Sequence, residues 1–409
     1  MGGRGVFLVW LGLGAVAALE VAAAGCGGAT ASSPAGGGDS GASGRDTGVT
    51  DTGVADATQA NVADTSPDAI DAAAPSIAWA NDVQESATGT APTVVAGPTS
   101  AGGTWACQIY APAAGQAVWQ TELLQGLDAS QPLGNGQLSS GGANLPAATA
   151  LTTTGSIFEM HMQAPTAGTF WWWLGQLDTT QAHAAWPNGS ALAGSVTGYR
   201  PRVASVGAAP GGGAYVVFVY MNSAAAGPLS YYTMQWTGTG DPNDASTVGA
   251  IAWMTGTPVA YDDGIDQNPA IAIAAPVAGH ATVVEAHQDE STGLYFRLGD
   301  LPTSGTNPTI TWQSVTSQLP GQAEGAHPAL AIYNSRILEV HEGTTAGTLM
   351  YTLGTVGSGG ITWQGPTQTY ATGGLAPAIA IDPTSGRGVE VHQSTGGGGV
   401  LIQMAFAVH

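Results

Sequence analysis

Four short apolar segments carry a glutamate and a histidine two residues apart: Glu159/His161, Glu285/His287, Glu339/His341 and Glu390/His392. In an extended chain such residues share a face, so each segment sets a carboxylate beside an imidazole. Packed between sheets, the pairs would form a buried polar ladder in which each histidine anchors a backbone or carboxylate partner. Facing a cleft, each pair plus a nearby aromatic would suit a sugar: the carboxylate accepts from hydroxyls while a ring covers the apolar sugar face. No metal and no cofactor are expected, because Glu-x-His is not a zinc spacing and the pairs lie on separate segments. The run Trp171-Trp172-Trp173 adds one further binding candidate. Strand alternation sends Trp172 to one face and its neighbours to the other, so at least one indole should be partly exposed. Asp262-Asp263-Gly264-Ile265-Asp266 reads as a solvated acidic loop. Cys107, in an apolar strand-like run, reads as a buried inert thiol. No catalytic residue is assigned.

The elements that must position these residues form a repeat. Pro269, Pro328 and Pro377 each open a Pro-Ala-(Ile/Leu)-Ala-Ile strand, followed by a Glu-x-His strand and a Leu-rich strand. An Ile-x-Trp strand completes the first two copies, at Trp312 and Trp363. Weaker copies follow Pro92, Pro146 and Pro201, and the six prolines are spaced 54, 55, 68, 59 and 49 residues apart. A period near 50 residues built of four short strands describes a propeller blade. The last copy lacks its Ile-x-Trp, whereas Ile77-Ala78-Trp79 is an orphan fourth strand. The expected fold is therefore all-β: a six-bladed β-propeller with four antiparallel strands per blade, closed by the N-terminal strand joining the last blade. The tryptophans at 79, 186, 253, 312 and 363 read as inter-blade packing.

Composition agrees. Among 409 residues there are 62 glycines and 44% hydrophobic residues, too apolar for disorder throughout and too glycine-rich for a helical protein. All 7 basic residues are arginine against 28 acidic ones, a net charge of −21, which excludes a phosphate-neutralising nucleic-acid surface. Residues 77–409 form the repeat domain. Residues 26–76, rich in Gly, Ala, Thr and Asp, cannot bury enough apolar area to offset chain entropy and read as a disordered tether.

Residues 1–25 read as a signal peptide, with Arg4 ahead of the 14-residue apolar run Val6–Leu19. The stretch Ala23-Ala24-Gly25-Cys26 resembles a bacterial lipoprotein signal, implying acylation of Cys26 and an outer-membrane anchor as the only membrane contact. Cleavage after Ala22-Ala23-Ala24, releasing a secreted protein, is the alternative. The repeat itself resembles blades of exported bacterial propeller proteins and, in strand order, those of fucose-binding lectin propellers. Those lectins carry Arg-x-Tyr where this chain has Glu-x-His, and they bind sugars between blades. The implied function is a surface-anchored, non-enzymatic module binding a glycan or envelope component, through Glu159, His161, Glu285, His287, Glu339, His341, Glu390, His392 and Trp172. A glycoside hydrolase or lyase acting at a central channel, or a purely structural or protein-docking propeller, are the alternatives.

Overall fold

The computed structural model describes residues 74–409 except short stretches at 100, 113–116, 125–126, 128–129, 139–143, 153–154, 163–167, 179–182, 192–195, 208, 210–212, 224–225, 239–248, 290–292, 306–307, 315, 321–323, 358 and 397. The signal peptide, Cys26 and the tether up to residue 73 lie outside the described residues. Within them the chain is all β, with 27 strands and no helix.

Val, Ile, Thr and aromatic residues between Gly-rich turns favour short pleated strands, and these pair antiparallel with their chain neighbours. One sheet is β3 (Thr90–Pro98), β4 (Thr104–Ala111), β5 (Val118–Leu124) and β6 (Ser130–Gln137). The next is β7 (Asn144–Ala150), β8 (Ser156–Met162), β9 (Phe170–Asp178) and β10 (His183–Ala191). Then come β11 (Tyr199–Gly207), β12 (Ala214–Met221), β13 (Gly227–Thr237) and β14 (Ala250–Trp253). The 15-residue β15 (Val259–Ile273) belongs to two neighbours at once: its first half pairs with β13, its second with β16 (His280–Gln288). β17 (Leu294–Pro302) with β18 (Thr311–Trp312) and β19 (Ser317–Gln318) completes that group. The next sheet holds β20 (Gly325–Tyr333), β21 (Arg336–Gly343), β22 (Thr348–Gly357), β23 (Gly360–Trp363) and β24 (Gln368–Thr372). The last holds β25 (Gly374–Ile381), β26 (Arg387–Ser394) and β27 (Val400–Val408).

The N-terminal strands β1 (Ile77–Trp79) and β2 (Val83–Thr88) pair with β27, not with the residues that follow them. Ile77 lies opposite Val408, Ala78 opposite Ala407 and Trp79 opposite Phe406. The first strands touch in sequence: β3 packs on β7, β7 on β11, β11 on β15, β15 on β20, β20 on β25, and β25 returns to β3.

Each first strand carries the same irregularity. Ala91, Leu145, Arg200, Asn268, His327 and Ala376 all have φ between 48° and 52°, and each immediately precedes a repeat proline. The left-handed region is costly for a residue with a Cβ, and proline disfavours helical geometry just before it. The pairing register slips at all six places, so each is a β-bulge held by its sheet.

The repeated Leu-x-x-x-x-Gly strand also has a physical reason. A Cβ on Gly175, Gly299 or Gly354 would lie 2.5, 2.9 or 2.8 Å from the indole of Trp186, Trp312 or Trp363. The glycine lets each tryptophan lie flat on the strand beside it. The rings then meet the preceding sheet: Trp312 stacks on Tyr261 at 4.7 Å, Trp79 on Tyr370 at 4.3 Å, and Trp363 meets Phe296 edge-on at 5.5 Å. Cys107 is fully buried, and burial drives its thiol far above the usual range, so it is inert.

Candidate functional site

The four Glu/His pairs sit on second strands, and register places each beside the third strand: Glu285 opposite Arg297, Glu339 opposite Thr352, Glu390 opposite Met404, Glu159 opposite Trp173. Within each pair the imidazole Nδ1 lies 2.9 to 3.0 Å from the glutamate carboxylate. All eight residues are buried, seven of them completely; only His287 keeps 3% exposure. These pairs are therefore not a set of open sugar cups: seven of the eight residues are sealed inside as an internal ladder, and His287 alone keeps contact with solvent. Burial pushes the Glu159 and Glu390 carboxyls up, opposed by the partner imidazole. The buried rings of His341 and His392 leave Nε2 without a partner.

Trp172 is half-buried, stacked on Phe158 at 6.4 Å against the apolar core of its sheet. Trp171 and Trp173 lie opposite His161 and Glu159 and are also half-buried, so the run is shared between packing and surface.

The Glu285/His287 pair has different surroundings. The Asp262–Asp266 run is not a loop but the middle of β15, where the strand passes from one sheet to the next. Its bonding to both sheets carries Asp266 inside, to 5% exposure, while Asp263 stays exposed. One ligand-capable atom each from Asp262, Asp266 and His287 lies within 4.8 Å of the other two. His287 Nε2 faces Asp266 Oδ1 at 3.5 Å, and its Nδ1 faces Glu285 at 3.0 Å. Arg297 closes the side, donating to the Asp262 carboxylate, the Tyr261 carbonyl and the Thr316 hydroxyl. The side chains of Asp262 and Arg297 keep 11% and 12% exposure, so the seam opens to solvent there. Tyr295, half-buried, stacks over His287 with ring centroids 6.2 Å apart. Burial and the neighbouring carboxylates push Asp266 up to about 7, whereas the Gly264 amide, Asp266 and Arg297 hold Asp262 below the usual carboxylate range. Glu285 and Asp266 push His287 up to about 9 against the effect of its burial.

Two more features have no signature along the chain. Arg200 and His327, from bulges two repeats apart, meet at 2.9 Å, and His327 Nδ1 lies 2.9 Å from Glu342, which also accepts from the Ala376 amide. Between the first strands lies an apolar cavity of about 500 Å³, lined by Ala96, Leu151, Val206, Ile273, Ile332 and Pro383 among others. No carboxylate lines this cavity among the described residues.

No family model matches the chain, and no curated protein matches it. Solved structures do. A fungal lectin from Aleuria aurantia, described as a six-bladed β-propeller with a novel fucose recognition mode, aligns with 12% identity and a TM-score of 0.51. The alignment covers 79% of this chain and 96% of that lectin. The mercury derivative of the fucose-specific lectin from the same organism aligns with 12% identity over the same shares, with a TM-score of 0.50. At that identity the likeness defines the fold alone: the chain is a β-propeller of antiparallel sheets.

Proposed function

We propose that this protein is a non-enzymatic, carbohydrate-binding six-bladed propeller, exported and held at the bacterial cell envelope through an acylated Cys26. The six-blade reading is supported by the cycle of first-strand contacts returning from β25 to β3, and by β1 and β2 completing the sheet of β25–β27. The glycan reading is carried by the seam at β15–β17, where a guanidinium, a carboxylate and a half-exposed phenol ring converge beside a solvent opening. Arg297 and Asp262 offer donors and acceptors to paired hydroxyls, and Tyr295 offers a ring face. Fucose-lectin propellers of the same fold are known glycan binders by description, which supports the ligand class.

The test is a glycan array followed by calorimetric titration of the full chain and of Arg297→Ala. Binding on the order of millimolar or tighter, lost in Arg297→Ala while Trp172→Ala retains it, is the expected result. No saturable binding to any envelope or host glycan overturns the reading.

A further inference from the structure

We propose that Asp262, Asp266 and His287 form a binding site for one first-row divalent cation, zinc being the best fit. The site stands whether or not the seam binds a sugar. The donors come from two adjacent strands, Asp262 and Asp266 from β15 and His287 from β16.

The geometry of the histidine carries the argument. His287 turns Nδ1 to the Glu285 carboxylate at 3.0 Å and Nε2 to Asp266 Oδ1 at 3.5 Å. A separation of 3.5 Å matches two ligands on a tetrahedral ion with bonds of about 2.0–2.1 Å, whose ligand edge is about 3.4 Å.

A second observation is independent of the histidine. Asp266 is 95% buried, and its Oδ2 has no hydrogen-bond donor against it. Its neighbour there is the other carboxylate, Asp262. Around the cluster three carboxylates (Asp262, Asp266, Glu285) stand with His287 and Arg297, a donor set rich in carboxylate oxygens. Glu285 is placed as metal-binding sites place an outer carboxylate, fixing the ring so that Nε2 points inward. An imidazole with two carboxylates suits zinc or a neighbouring transition ion better than calcium or magnesium. Three protein ligands leave a position open toward the partly exposed Asp262 edge.

His341 and His392 supply the internal control: each is oriented by its own glutamate, yet neither Nε2 faces a carboxylate. Among the described residues this three-donor cluster occurs in one repeat.

The experiment is titration of the metal-stripped full chain with zinc chloride, read by calorimetry and thermal unfolding, with cobalt(II) as a visible-absorption probe. One equivalent should bind with a rise in Tm, and cobalt should give the intense band of a low-coordinate site. Asp266→Asn and His287→Gln should each remove the cobalt band and lower zinc affinity by about 100-fold or more, and Glu285→Gln should lower it by about 10-fold. Asp263→Asn, on the exposed neighbour, should change neither. Absence of stoichiometric binding by zinc, cobalt and manganese overturns the site. So does binding that survives unchanged in Asp266→Asn and His287→Gln, provided both variants show the parent circular dichroism.

Discussion

The Glu390/His392 and Glu285/His287 pairs have the same spacing, sit on equivalent strands and make the same internal contact, yet one is sealed and the other faces a reactive seam. Around Glu390 stand the Tyr370 hydroxyl and the Asp82 carboxylate, and His392 has nothing at Nε2. Around Glu285 stand Arg297, Asp262 and Asp266, delivered by a strand that changes sheets midway. The motif itself is packing. What gives it chemistry is the neighbouring strand.

The largest effect should come from breaking the sealed pair. Glu390→Ala leaves a fully buried imidazole without its partner and opens a cavity, which should cost about 3–5 kcal/mol. Glu285→Ala should cost distinctly less, because His287 retains a carboxylate at Asp266 and a route to water. Urea unfolding of both variants, with unchanged slopes, measures the difference; equal costs would mean that the two pairs share one environment after all.

A smaller effect should appear in the pH dependence. Glu390 raises His392 above the ordinary imidazole value of 6.5, and the Glu390 carboxyl is itself raised by burial. Both shifts favour the protonated pair in the folded state. Their stabilising contribution is therefore complete below the unfolded values and lost as pH rises through the folded ones. Glu342 behaves oppositely: lowered by His327, the Ala376 amide and Arg200, it stabilises above its unfolded value of 4.5 and ceases to do so as pH falls. In His392→Gln the alkaline decline of Tm should begin at lower pH, since Glu390 must then ionise alone. A superimposable alkaline limb would show that the pair does not share its proton.

Much of this was legible in the sequence because repeats preserve packing positions. The six prolines marked the first strands, Trp312 and Trp363 marked the fourth, and the orphan Ile77-Ala78-Trp79 found β27 as its partner. The Glu/His alternation correctly put both groups on one face, but could not say whether that face met water or another sheet. The six left-handed bulges were invisible, since a residue before proline is expected to be extended, and only sheet pairing overrides that preference. The acidic run was read as a loop because Asp and Gly disfavour strands, yet the bonding of β15 to two sheets outweighs those propensities. Arg200, His327 and Glu342 meet across separate repeats, and no spacing along the chain encodes that contact.

The smallest predicted effect separates the two pairs by sign. In the metal-stripped chain, Asp266→Asn should raise stability by about 1 kcal/mol, because burial beside Asp262 and Glu285 disfavours the ionised carboxylate, its Oδ2 has no donor, and the amide can donate to Asp262. In the sealed pair Glu390→Gln should instead lose stability, because it gives up the 2.9 Å contact with the His392 imidazole in a site fully closed to solvent. Added zinc should reverse the ranking: the parent chain rises by the binding free energy at the ion concentration used, while the variant stays where it was. Thermal unfolding of parent and variant, with chelator and then with zinc, gives all four values in one experiment. A loss of stability in Asp266→Asn with chelator present would mean that the carboxylate is held by a donor, and the contrast between the two pairs would collapse into a difference of exposure alone.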